Sequence, residues 1–290
     1  MNRTYVVIIP RCGVRAEVME YIIRKLNIIK AVASATYKEW AAYRTHSMVS
    51  IFVGPAYFLV QISIWNAVYS SGNSVGGMTL NQMIAYYGVS TLINYLIMDF
   101  ADWNLQMLIR TGKYLTFALR PIHHRFFALS QKIGHRILGF LFEFLPVLLI
   151  FIFLFRVDLR PASWPWMIIS VILSFLTQFY INYTIGLSGF WLVRTDGLRS
   201  VVYMITGVCS GSLFPLLLLP KPLQFAAFCL PFQYTVYVPS MVFTGSYTLG
   251  GITLGLPGIV GLQALYAILL WVLSETLFRL GMKRFTAVGA

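Results

Sequence analysis

Apolar blocks alternate with polar, basic stretches along the chain. A helix crosses a bilayer with about 20 mostly apolar residues. Six segments reach that length: 48–69, 79–98, 137–155, 166–193, 201–219 and 257–277. Thr79 stands three residues before Gln82, the spacing of a capping box, and follows the turn-rich stretch 70–77. The second block is therefore expected to start there. The fourth opens after Pro161 and Pro165, with Trp164 and Trp166 placed for an aromatic belt at the membrane boundary.

Two further stretches have a different character. Residues 31–46 read as an amphipathic helix, with Tyr37, Trp40 and Ala41 along one side and Lys30, Lys38 and Arg44 along the other. Such a helix lies along the membrane interface. Residues 220–256 are apolar but interrupted by Pro222, Pro231 and Pro239. They suit re-entrant or interface-lying helices packed on the bundle; a seventh and an eighth span are the alternative.

Composition agrees with this pattern. Hydrophobic residues make up 58% and charged residues 11%, where a soluble domain has about 25% charged. A chain this apolar uses lipid as part of its solvent. The expected fold is an all-α membrane protein with six transmembrane helices. Its formal charge of +13 raises the question of nucleic acid, but the basic residues sit between apolar blocks and not on a polar domain. They read as topology signals and contacts to anionic lipid, with no nucleic-acid partner. With the N-terminus inside, all of the 22 Lys and Arg residues except Arg156, Arg160 and Lys221 fall on the inner side. Both termini are therefore expected in the cytoplasm.

No catalytic centre is expected. A phosphate loop requires Gly-x-x-x-x-Gly-Lys-Ser/Thr; the single Gly-Lys pair, Gly112–Lys113, lacks the first glycine and is followed by Tyr114. Cys12, Cys209 and Cys229 have no metal-ligand spacing and suggest no disulfide framework. His123 and His124 are adjacent and cannot share a helical face as ligands. With His135 they read as residues of a basic inner loop, facing lipid heads or a partner. No cofactor or metal site is expected in the chain.

Five features remain. Glu143 lies inside the third block, where a lone carboxylate is costly; a structural hydrogen bond and a part in substrate passage both stay open. Ser170, Ser174, Gln178 and Asn182 recur every four residues and form a polar stripe, either packed against other helices or lining a route. Gly207 and Gly211 form a small-xxx-small pair that lets another helix approach, within the subunit or across a dimer. In the long basic loop 99–136, residues 110–121 predict a short amphipathic helix stopped by Pro121. Leu115, Phe117, Ala118 and Leu119 would form its apolar face, with Arg110, Lys113 and Arg120 around it. That face either docks in a groove or rests on lipid. Near the C-terminus, Glu275 and Arg279 are spaced for an ion pair.

Several stretches carry a resemblance. They are Tyr37-Lys-Glu-Trp-Ala-Ala-Tyr-Arg44, Gln61-Ile-Ser-Ile-Trp-Asn-Ala-Val-Tyr69, Gly77-Met-Thr-Leu-Asn-Gln-Met-Ile-Ala-Tyr-Tyr87 and the Gly112 to Leu119-Arg-Pro121 loop. In their order and with six spans, they make residues 21–290 resemble an ABC-2-type transporter permease of the bacterial six-helix group. The resemblance implies a half-transporter in the bacterial cytoplasmic membrane, paired with a second permease, identical or related, and with a separate ATPase that binds ATP and Mg. It implies that the loop around 110–119 is the coupling helix, that 31–46 is the elbow helix, and that the first and fifth spans build the dimer interface, where Gly207 and Gly211 would fall. An exported amphiphile (lipid, peptide or drug-like) is the implied substrate. Residues 1–20 have no counterpart in that pattern, and 1–30 are expected to form a cytoplasmic segment ahead of a transmembrane domain over 31–290. An ATP-independent channel or secondary carrier, and a membrane enzyme, are the competing readings.

Overall fold

A computed structural model describes residues 12–41, 44–70, 75–192 and 194–285. The chain is mostly helical. In order come α1 (Cys12–Ala41), α2 (Arg44–Tyr69), α3 (Leu80–Ile97), α4 (Ala101–Arg110), α5 (Tyr114–Ala118) and α6 (His124–Gly139). A π-helical turn, Phe140–Phe144, leads into α7 (Leu145–Phe153). Then follow α8 (Trp164–Leu187), α9 (Asp196–Cys209), α10 (Lys221–Cys229) and α11 (Tyr237–Thr244). A hairpin of β1 (Tyr247–Leu249) and β2 (Ile252–Leu254), in register Tyr247 to Leu254, precedes α12 (Leu256–Arg284).

Four stretches are long and apolar enough to cross a membrane: Ile51–Tyr69, His124–Phe153, Trp164–Phe190 and Leu256–Arg284. They expose large apolar side chains such as Phe52, Phe153, Ile172 and Ile268, the surface that lipid solvates. The start of α3 follows the sequence: Thr79 Oγ1 accepts from the Gln82 backbone N–H, and Gln82 Oε1 accepts from the Thr79 N–H at 2.9 Å. At 18 residues, with Asn81, Gln82 and Asn94 among them, α3 is shorter and more polar than those four.

The block 201–219 is not one helix. α9 ends at Cys209 after 14 residues, about 21 Å at 1.5 Å per residue against roughly 30 Å of hydrocarbon. Gly211 adopts φ +80°, which costs a glycine nothing and other residues dearly. Four successive carbonyls just past the helix end find partners. Ser210 O accepts from the Tyr237 N–H at 2.8 Å, Gly211 O from Tyr86 Oη at 2.6 Å, Ser212 O from Tyr57 Oη at 3.2 Å and Leu213 O from Tyr87 Oη at 3.1 Å. Three tyrosines thus allow irregular backbone within an apolar surround. Gly211 consequently packs against Tyr86 and Tyr237 beyond the helix end, and does not share a helical face with Gly207. Residues 220–256 fold into the short helices α10 and α11 and the hairpin, none long enough to span.

The third block also differs from expectation. Residues 124–136, assigned to a loop, form the first half of a helix running from His124 to Phe153. α1 lies against that half. Its buried positions are Ala33 and Thr36, whereas Tyr37 is exposed alongside Lys30 and Lys38. The contact depends on Gly134, because a Cβ there would come within 2.6 Å of the Ala33 Cα. Within 31–46, residues 42–43 and the side chains of Trp40, Ala41 and Arg44 lie outside the described residues, as do residues 1–11.

Two aromatic cores hold the bundle. One gathers Phe58, Tyr86, Tyr87, Phe151, Tyr237 and Tyr247 from α2, α3, α7, α11 and β1. The other joins Leu105, Tyr114, Phe117, Phe179, Tyr183 and Leu187 beneath the chain between α3 and α6.

Candidate functional site

The chain between α3 and α6 is anchored at both ends by buried groups. Asp102 in α4 is fully buried; its Oδ2 lies 2.7 Å from Arg199 Nε and accepts from Tyr203 Oη at 2.9 Å. α4 thereby grips the start of α9. Tyr114 and Phe117, three residues apart on α5, both point inward. The Tyr114 ring meets Phe190 and Phe285 edge-on at 5.4 Å each, and Phe117 lies 4.6 Å from the His124 ring. Burial pushes the Tyr114 phenol up to about 12, so it stays neutral.

What remains outside is a small tip. Leu115 is exposed and Leu119 is 82% exposed, with Arg110, Lys113 and Arg120 exposed around them. The expected helix over 110–119 is shorter than the sequence suggests. Arg110 closes α4, Gly112 separates the two helices, and α5 covers five residues. Phe117 is an anchor and not part of the outward face. Arg120 folds back over Phe117 and Phe127, at 5.4 and 5.8 Å from their ring centroids.

His124 is buried rather than on a loop surface, with Nδ1 3.1 Å from Tyr183 Oη. His123 lies 3.6 Å from Glu275, which also pairs with Arg125 at 3.1 Å and with Arg279 at 2.8 Å. The expected Glu275–Arg279 pair is thus part of a larger cluster tying α6 to α12. Burial lowers the His123 pKa, and Glu275 opposes that shift.

Glu143 stands on the π-helical turn, 3.7 Å from Arg136, and both side chains are buried. Arg136 also donates to the Tyr95 carbonyl. Lys132, one turn before Arg136, is buried too and donates to the Phe175 carbonyl at 2.8 Å. Sequence reasoning placed Lys132 and Arg136 among loop charges and missed their role. The available signal was spacing: Lys132, Arg136 and Glu143 fall at intervals of four and seven, on one helical face. Asp99, just past α3, is pushed up by burial and by Asp102 and pulled down by Lys132, with burial the largest effect.

The polar stripe on α8 is occupied by protein partners. Ser170 Oγ donates to Gln263 Oε1 at 2.8 Å and Ser174 Oγ donates to the Tyr234 carbonyl at 3.1 Å. Gln263 Nε2 donates to the Ser170 and Tyr234 carbonyls and to Ser174 Oγ at 2.9 to 3.0 Å. Gln178 donates to Asn182 at 3.2 Å, and Asn182 donates to the Asp99 carbonyl at 3.3 Å. Gln263, a lone amide in an apolar block, went unremarked in the sequence although the reasoning applied to Glu143 would have singled it out. Among the described residues no three His, Cys, Asp or Glu side chains are grouped to hold a metal.

Behind the tip a cavity of about 820 Å³ opens between α1, α4, α5 and α6, with Asp99 and Lys132 in its wall.

A bundle of membrane-length helices, with an inward-anchored loop presenting a small apolar tip, defines a multi-pass membrane protein. Residues 56–289 match the family model described as ABC-2 family transporter protein, and the chain belongs to that family. Its permeases are membrane transport subunits, not themselves ATPases, and generally work with an ATPase subunit. No curated protein and no solved structure shows significant similarity to the chain.

Proposed function

We propose that this chain is the permease subunit of an ATP-binding cassette exporter for an amphiphilic substrate, and that a separate ATPase, carrying ATP and Mg, docks on the tip formed by Arg110, Lys113, Leu115, Leu119 and Arg120. The observation that carries this reading is the division of labour along α5 and its C-cap: Tyr114 and Phe117 are locked in an aromatic core while Leu115 and the capping Leu119 project outward. A push on the tip is transmitted to α4 and α6, because neither helix can move without disturbing that core. In this reading α3 and the broken stretch 196–219 complete six crossings of the bacterial cytoplasmic membrane, with both termini and the elbow helix inside, as the Lys and Arg distribution supports. No side chain of α9 is fully buried within the subunit, which suits a face, Gly207 included, turned to a second permease, identical or related. Glu143, Gln178 and Asn182 act as structural ties.

One observation favours an alternative, an ATP-independent carrier. Lys132, Arg136 and Glu143 are buried in the fold, with Asp99 half-buried beside them, and ion coupling requires such intramembrane charges. Two experiments separate the readings. Leu115→Asp, or Lys113→Glu with Arg120→Glu, should abolish co-purification of a Walker-motif ATPase while membrane insertion stays normal. Unchanged complex formation and transport would remove the tip from that role, and transport by the purified chain alone in liposomes would establish the carrier.

A further inference from the structure

The cavity behind the tip contains an unusual pairing. Lys132 is buried and uses one of its three ammonium hydrogens on the Phe175 carbonyl, with that ring centroid 4.1 Å from Nζ. Asp99 Oδ1 accepts from the Ala101 N–H at 3.3 Å and the Phe100 N–H also favours the ionised carboxylate, but Oδ2 has no hydrogen bond of ordinary geometry. The two charges attract each other, yet among the described residues they form no ion pair within 4.0 Å. Lys113 and Arg120 stand exposed in the same lining, and Phe100, Trp103, Leu108 and Phe127 supply apolar wall.

A buried carboxylate oxygen without a donor costs about 1–3 kcal/mol or more, and Lys132 has donors to spare. A ligand that carries a hydrogen-bonding cation and an anion a few bonds apart answers both. A purely anionic phosphate would leave Oδ2 unanswered and repelled. A quaternary ammonium has no N–H to give it. We propose that this cavity binds the phosphoethanolamine headgroup of a membrane lipid, its primary ammonium on Asp99 and its phosphate on Lys132, with Lys113 and Arg120 as further cationic contacts. The apolar wall favours the lipid over the free headgroup. The site shares Lys113 and Arg120 with the proposed ATPase tip, but its defining contacts, Asp99 and Lys132, lie outside that tip, so lipid selectivity and ATPase docking can fail independently.

The test uses the full chain in detergent, with dissociation constants read by native mass spectrometry. Four lipids with identical acyl chains form the series: phosphatidylethanolamine, its N-methyl and N,N-dimethyl forms, and phosphatidylcholine. Affinity should fall by about tenfold or more from first to last, the equivalent of roughly 1.4 kcal/mol for one charge-assisted hydrogen bond. The Asp99→Asn variant should flatten the series, and Lys132→Met should weaken all four lipids alike. Equal binding of the four lipids by the unaltered chain would overturn the proposal, and that comparison needs no variant to fold. A slope retained in Asp99→Asn would overturn it too. Soluble phosphoethanolamine binding as tightly as the lipid would overturn the lipid as its source.

Discussion

Replacing Glu143 by Gln should destabilise the protein strongly. The partner Arg136 is 3.7 Å away and both side chains are buried. At an effective dielectric near 20, a pair at that distance attracts by about 4 kcal/mol. Removing one member of a buried pair typically costs about 3–5 kcal/mol, although Arg136 keeps its bond to the Tyr95 carbonyl and the attraction of Asp99. The contact is longer than a direct charge-assisted hydrogen bond, so the lower end applies: about 3 kcal/mol. For a chain of this size that corresponds to a midpoint lowered by roughly 6–12 °C, measurable by thermal unfolding of the detergent-solubilised protein. The double variant Arg136→Met with Glu143→Leu should recover part of the loss, because no charge is then stranded. A midpoint within about 1 °C of the original for Glu143→Gln would refute the reasoning. So would a double variant no better than the singles.

Gly134→Leu should detach α1 from α6, since a Cβ at that position already collides with the Ala33 backbone; limited proteolysis should cut α1 faster while the remaining bundle stays resistant. Tyr86→Phe removes the donor to the Gly211 carbonyl and should cost about 1–3 kcal/mol, seen as a lower unfolding midpoint. Phe117→Ala should cost about 3–5 kcal/mol, whereas Leu119→Asp should leave the unfolding midpoint unchanged, because the first fills a core and the second projects outward.

Much of the fold was legible because its signals are local. The capping box at Thr79 and Gln82 placed the start of α3, and prolines marked 220–256 as short elements. The failures share one cause: partners distant in sequence. Nothing near residue 211 announces that Tyr57, Tyr86 and Tyr87 will satisfy the carbonyls of a broken helix, so an apolar run read as a span. Lys132 and Arg136 looked like loop charges because the chain turns apolar only after them; contacts with Phe175 on α8 and Tyr95 on α3 give them their roles. At the tip the charges and Leu115 and Leu119 were foreseen as a face, but five residues are too few for periodicity to show that Phe117 faces inward.

Photo-crosslinking from Leu119 in native membranes tests the central claim most directly. A crosslinking amino acid at that position, activated in intact membranes and followed by mass spectrometry, should yield an adduct with a protein bearing a Walker phosphate loop. Adducts to lipid alone, in cells where transport continues, would contradict the account.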